Sequence, residues 1–207
     1  MRRSLTAALT VAGGLLAASA AWTLYQRVTT ETVPYTVVAR VGDAELRRYP
    51  AVVTAETVAP SEREAFRRLF EYIDGANEGE GDLPMTAPVE VEGGGASVSM
   101  TAPVEVDGDE EGVRMAFYLP AEYDLESAPR PTDDRIDLVG VPERTLAVRR
   151  FSWRPTDRRV DRETDELLDT LAGADVATAG EPFFMGYDAP GALPFLRRNE
   201  VAVVVET

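Results

Sequence analysis

The chain contains no cysteine and no histidine, and all 21 of its basic residues are arginine, so lysine is missing as well. Without cysteine there can be no disulfide, no thiolate nucleophile and no lipid attached through sulfur. Without histidine there is no imidazole general base, no Ser-His triad and no imidazole metal ligand. Zinc sites built from Cys and His are excluded on both counts. Positive charge is scarce too: 36 acidic against 21 basic residues give a net charge of −15. Such a surface repels phosphate backbones and excludes nucleic acid as a partner. It suits concentrated salt, where a Debye length of about 3 Å near 1 M screens self-repulsion. A genome that prefers arginine codons would explain the missing lysine but not the excess of acid.

With 207 residues, 44% of them apolar, the chain is long enough for one domain with a proper core. Residues 1–28 stand apart from that domain. Arg2 and Arg3 precede an uncharged run of 21 residues from Leu5 to Tyr25, followed by Gln26 and Arg27. At 1.5 Å per residue the run reaches about 31 Å as a helix, enough to cross a bilayer. The arginine pair would stay inside, which places the domain on the extracytoplasmic side of the cell membrane. The rival reading is a cleaved signal and a secreted domain, because Ala18-Ser19-Ala20 is an A-x-A site behind an apolar run. In either case the domain covers residues 32–207. The three arginines of the leader serve no part of it, so it is more acidic than the whole chain.

Within the domain, Tyr35 to Arg40 and Ala44 to Val58 read as strands around a Gly42-Asp43 turn. Ser61-Glu62-Arg63-Glu64 is a capping box, and Phe66, Leu69, Phe70 and Ile73 follow at helical spacing up to Gly75. A direct repeat comes next, Met85 to Glu92 and Met100 to Asp107, joined through Gly93-Gly94-Gly95. It reads as two strands, each carrying a proline that fits an edge or a bulge. Val113 to Leu119 is another strand, and Pro120 to Asp134 a polar connection. Then Arg144 to Trp153 is a strand and Pro155 to Ala172 a helix with Val160, Leu167, Leu168 and Leu171 on one face. Glu181 to Tyr187 and Glu200 to Glu206 are closing strands. Strand-helix-strand-strand occurs twice, which predicts a pseudo-two-fold antiparallel α+β domain.

Several segments carry a resemblance to the SOUL haem-binding family. They are Glu45-Leu46-Arg47-Arg48-Tyr49, Gly75-Ala76-Asn77, the doubled Met-Thr-Ala-Pro-Val at 85–89 and 100–104, and Phe117-Tyr118-Leu119-Pro120. Pro129 to Asp133, Tyr187-Asp188-Ala189-Pro190 and Arg197 to Val201 complete the set, in the family's order from Tyr35 to Val205. The resemblance implies a distorted eight-stranded barrel flanked by two helices, and a haem or other tetrapyrrole as non-covalent ligand. It implies a binding module, a carrier or sensor, rather than an enzyme. The alternative is a domain of the same fold that binds or hydrolyses another small molecule. Ala189 to Leu193 departs from relatives that carry two prolines and an aromatic there. Haem, if bound, cannot be ligated by histidine.

The family's groove maps onto the first helix and the 187–198 loop. The candidate ligand contacts are therefore Arg63, Phe66, Arg67, Leu69 and Phe70 on the helix, with Tyr187, Leu193, Phe195 and Arg197 on the loop. The arginines suit propionates and the apolar side chains the flat ring. Against this, Arg63 and Arg67, with Arg68, also suit a solvated face paired with Glu62, Glu64 and Glu71, and a Phe/Leu stripe suits a core. Met85 and Met100 are soft donors or strand packing; Tyr187 is an iron ligand or a buried corner phenol. No metal-spaced cluster is present, and no catalytic residue is assigned.

Overall fold

The computed structural model describes residues 30–79, 81–92, 112–188 and 192–206. In chain order its elements are β1 (Glu31–Thr32), β2 (Thr36–Val41), β3 (Ala44–Tyr49), β4 (Val52–Ala59), α1 (Glu62–Ile73), β5 (Thr86–Glu92) and β6 (Val113–Tyr118). They continue with β7 (Asp137–Val141), β8 (Arg144–Phe151), α2 (Asp157–Ala172), β9 (Thr178–Gly186), a 3-10 turn Pro194–Leu196 and β10 (Asn199–Val205). The strand expected over 44–58 is divided in two at Pro50. A residue without an N–H does not continue a ladder, and here β3 and β4 go to opposite ends of the sheet.

The strand order is β2-β3-β8-β10-β9-β5-β6-β4-β7, antiparallel throughout, with β1 added parallel to β5. This is the doubled order read from the sequence: β4-α1-β5-β6 and β8-α2-β9-β10 meet where β5 pairs with β9. The strand before each half is exchanged. β3 pairs with β8 of the second half, and β7 pairs with β4 of the first. β7 itself is short and has no fully buried residue, so the sequence offers no periodicity to reveal it. The end strands β2 and β7 do not pair, so the sheet curls without closing into the implied eight-stranded barrel.

Local chemistry explains the helices. Ser61 caps α1 by accepting from the Glu64 N–H at 3.3 Å. The Glu64 carboxylate turns to Arg67 and Arg68 instead of returning to Ser61, so only half of the capping box forms. Gly75 ends the helix with φ +105°, a conformation that costs glycine nothing. α1 buries Ala65, Leu69, Tyr72 and Ile73 against β4 and β6. α2 buries Leu167 and Leu171 against β8 and β10, with Val160 and Leu168 at the margin. In β5 the bond before Pro88 is cis, and the register shifts between Thr86 and Val89. That bulge lets an interior strand carry proline, as the repeat predicts. The second repeat copy, Met100 included, lies outside the described residues, as do residues 1–28.

On the face away from the helices the curled sheet closes on its own side chains. Tyr49, Tyr118, Leu146, Val148, Phe183, Met185 and Ala202 form one cluster there, plugged by Val33. Among the described residues, no helix is long and apolar enough to cross a membrane.

Candidate functional site

α1 covers one half of the sheet and α2 the other, so the central strands β5 and β9 lie between the two helices. Strand alternation sends Val89 and Phe184 to this side, and both remain half-buried while packing against the cluster beneath α1. They form a half-buried apolar strip between the two helices, the floor of the groove that the resemblance implies. Phe184 also reaches Phe151 on the α2 side, ring centroids 6.3 Å apart. Gly186 continues the floor without a side chain; a Cβ there would lie 3.2 Å from the Phe184 ring. The sequence pattern Phe183-Phe184-Met185 contains this split, because period two must send Phe184 to the opposite face from its neighbours. None of these floor residues is among the sequence-predicted candidates.

The wall of the groove is the outward stripe of α1. Arg63, Phe66, Arg67 and Phe70 fall at i, i+3, i+4 and i+7 and so share one face. Phe66 and Phe70 stack with centroids 6.0 Å apart, and Phe66 meets Phe117 edge-on at 5.4 Å. Phe70 remains 41% exposed. Arg67 is held by Glu64 at 2.8 Å and Glu71 at 2.7 Å. Arg63 is exposed and makes no ion pair among the described residues. Leu69 is a correction: at 0% exposure it lies in the core beneath the stripe and can only support the groove. Arg68, also buried, donates to the Thr57 hydroxyl and the Val58 carbonyl.

On the loop, Leu193 is half-buried and Phe195 is 53% exposed. Arg197 is half-buried and donates through Nε to the Ala192 carbonyl at 3.2 Å. Tyr187 is the second correction. It continues the Phe183-Met185 alternation onto the face away from α1, where its hydroxyl donates to Glu200 Oε2 at 2.8 Å. Burial and then the Glu200 charge push this phenol up, so it is a corner phenol and not a free donor for iron. Met85 is 36% exposed and fills no interior space, against the packing role expected of it.

The face away from the helices carries two ionic centres; the sequence marks Arg197 to Glu200 as tying the last strand to its neighbours but does not say which partners it meets. Glu200, 0% exposed, accepts from Arg47 at 2.8 Å and Arg198 at 2.9 Å besides Tyr187. The Arg198 guanidinium lies 3.7 Å from the Tyr187 ring centroid. Glu90 accepts from the Tyr118 hydroxyl at 2.6 Å and from Arg144 at 3.0 Å. These partners satisfy one another. Two surface cavities of about 410 and 420 Å³ border these parts, one lined by Arg68, Glu71 and Tyr72 of α1 with Arg135, the other by Tyr35, Glu45, Arg47 and Arg150.

At the start of α1, burial and then the charge of Asp157 push the Glu62 carboxyl up to about 7. Its Oε1 is buried without a hydrogen-bond partner.

A family model described as SOUL heme-binding protein matches residues 30–204. Heme-binding protein 1 of Mus musculus is 26% identical over 153 residues, 73% of this chain and 75% of that one. Among solved structures, the EcmrR C-terminal domain aligns with a TM-score of 0.53 at 13% identity, over 84% of this chain and 98% of that one. A hydrolase from Listeria innocua aligns with a TM-score of 0.54 at 11% identity, over 82% and 94%. Likeness at these identities shows the α+β fold alone. The family match spans both halves of the domain, from β1 to β10, and on that ground the chain belongs to the SOUL heme-binding protein family.

Proposed function

We propose that the domain is a non-enzymatic tetrapyrrole carrier or sensor, held at the outer face of the cell membrane by the apolar run of residues 5–25. The observation that carries the ligand assignment is the outward stripe of α1. It sets two phenyl rings and two guanidiniums on one face beside a half-buried apolar floor, which is the chemistry of a flat ring with anionic substituents. Phe66 and Phe70 would cover the ring, and Arg63, the cation of the stripe without an ion pair, would meet a propionate. Leu193, Phe195 and Arg197 would close over the other face.

The donor set does not favour iron. The chain has no histidine or cysteine, and Tyr187 is committed to Glu200. Haem is therefore held by burial. Covering about 200 Å² of its face contributes about 5 kcal/mol at roughly 25 cal/mol per Å², before the entropy of association.

Titrating the full chain with haemin and with metal-free protoporphyrin tests this. The expected result is saturable binding of both, a red-shifted Soret band, and micromolar affinities within about tenfold of each other. A preference for haemin of about a hundredfold would show that iron ligation dominates and would overturn the burial account. The second reading is an effector-binding or hydrolytic domain for another small molecule. The fold shared with the EcmrR domain and the Listeria innocua hydrolase favours it, and fold alone leaves function open. Failure of both porphyrins to bind would select it.

A further inference from the structure

Trp153 lies in the connection between β8 and α2 with φ +78°, a conformation L side chains rarely adopt, and it is 54% exposed. The connection is tied down on several sides. The Trp153 N–H donates to the Pro194 carbonyl at 2.8 Å, and Asn199 Nδ2 donates to the Trp153 carbonyl at 2.7 Å. Arg159 donates to the Ser152 carbonyl at 3.2 Å. A strained backbone is thus fixed in place, yet the side chain it carries joins none of the core clusters. Strain that the surroundings over-determine, with no gain in packing, is a signature of a binding position.

The surroundings point to the kind of ligand. Phe195, 53% exposed, sits in the turn to which the Trp153 backbone is bonded. Arg154 makes no ion pair among the described residues, in a chain of net charge −15. After burial, its like charge is the next cause lowering the Arg197 pKa. The same connection ends at Asp157, whose charge reaches Glu62 at the start of α1. The hydrogen bond to Pro194 stands the Trp153 loop beside the turn that carries Phe195 and leads into Arg197.

We infer that Trp153 is a ligand-stacking residue on the 193–197 loop side of the site, together with the exposed Phe195, with Arg154 next to it in the chain meeting an anionic substituent of the same ring. The inference rests on the tetrapyrrole reading above and deepens it. The segment from Ala189 to Leu193 has no aromatic, and a tryptophan from a different connection supplies the flat face in its stead.

The test uses the full chain with Trp153→Gly, Trp153→Phe and Arg154→Gln. Glycine removes the ring and also relieves the positive φ, so a binding role and a structural role pull apart. The expected result is an unfolding midpoint equal to or above the parent's, with protoporphyrin and haemin affinity down by about tenfold or more. Phenylalanine should restore affinity to within about threefold, since it keeps a stacking face. Arg154→Gln should weaken protoporphyrin but not its uncharged dimethyl ester. If the parent binds porphyrin and Trp153→Gly binds it equally well, this inference fails and the broader reading stands. A Gly variant that loses stability and affinity together would make Trp153 structural and would also overturn it. If the parent binds no porphyrin, both fall.

Discussion

Replacing Glu200 by Gln keeps the shape of the side chain and removes its charge. The carboxylate is 0% exposed and receives Arg47 and Tyr187 on Oε2 and Arg198 on Oε1. A carboxamide has one acceptor oxygen, so its NH₂ must face either the Arg198 donors or the Arg47 and Tyr187 donors. Removing one partner of a buried ion pair costs about 3–5 kcal/mol, because the other charge is left uncompensated. The lower end applies here. Arg47 keeps Glu45 at 2.9 Å, and the Arg198 side chain, 20% exposed, can turn to water. With a urea slope of about 2 kcal/mol per M, a loss of about 3 kcal/mol lowers the midpoint by about 1.5 M. Urea unfolding of parent and variant, followed by circular dichroism, reads this directly. Because the centre is buried, about 1 M salt should not restore the variant, although it screens the acidic surface. A loss below about 1 kcal/mol, or rescue by salt, would refute the view that this centre holds β10 to β3.

Three further outcomes are expected. Phe70 leaves 41% of its surface exposed. For a side chain of about 200 Å² that is about 80 Å² for a ligand, so Phe70→Ser should weaken porphyrin binding by about 2 kcal/mol, roughly 30-fold, in titration. Affinity unchanged within about threefold in a folded variant would remove α1 from the site. For Glu62, burial and Asp157 raise the folded pKa to about 7 from 4.5, so the native state binds the proton more tightly than the unfolded chain does. Stability is then lost as pH rises from 4.5 toward 7; Glu62→Gln should match the parent at the acid end and exceed it at pH 8, and a variant weaker at pH 8 contradicts the assignment. Mass spectrometry of the membrane fraction should find Leu5 to Tyr25 retained, and a mature N-terminus at Ala21 would mean cleavage instead.

Elements whose signal is local were legible in the sequence. The Ser61 cap, the Gly75 stop, the 3.6-residue period of both helices and the proline-bearing strand each depend on neighbours a few residues away. The doubled order of elements was legible for the same reason, and so was the α1 stripe as a candidate. The absence of His and Cys excluded imidazole and thiolate ligands before any fold was known. What the tertiary structure decided were matters of partner and of face. Nothing near Pro50 says that β3 will join β8 while β4 joins β6, since ladder partners are far apart in sequence. Nothing in the Phe66-Leu69-Phe70 spacing says how the helix rotates on the sheet. Packing against Phe117 and β4 turned Leu69 inward and left Phe70 in solvent. Strand alternation alone puts Tyr187 and Phe184 on opposite faces, but which of those faces meets the helices was decided only when β9 docked between β10 and β5. The sequence by itself determined the elements and the available chemistry, because both are properties of residues and short windows. The groove exists only after long-range pairing has chosen which side of each strand meets a helix.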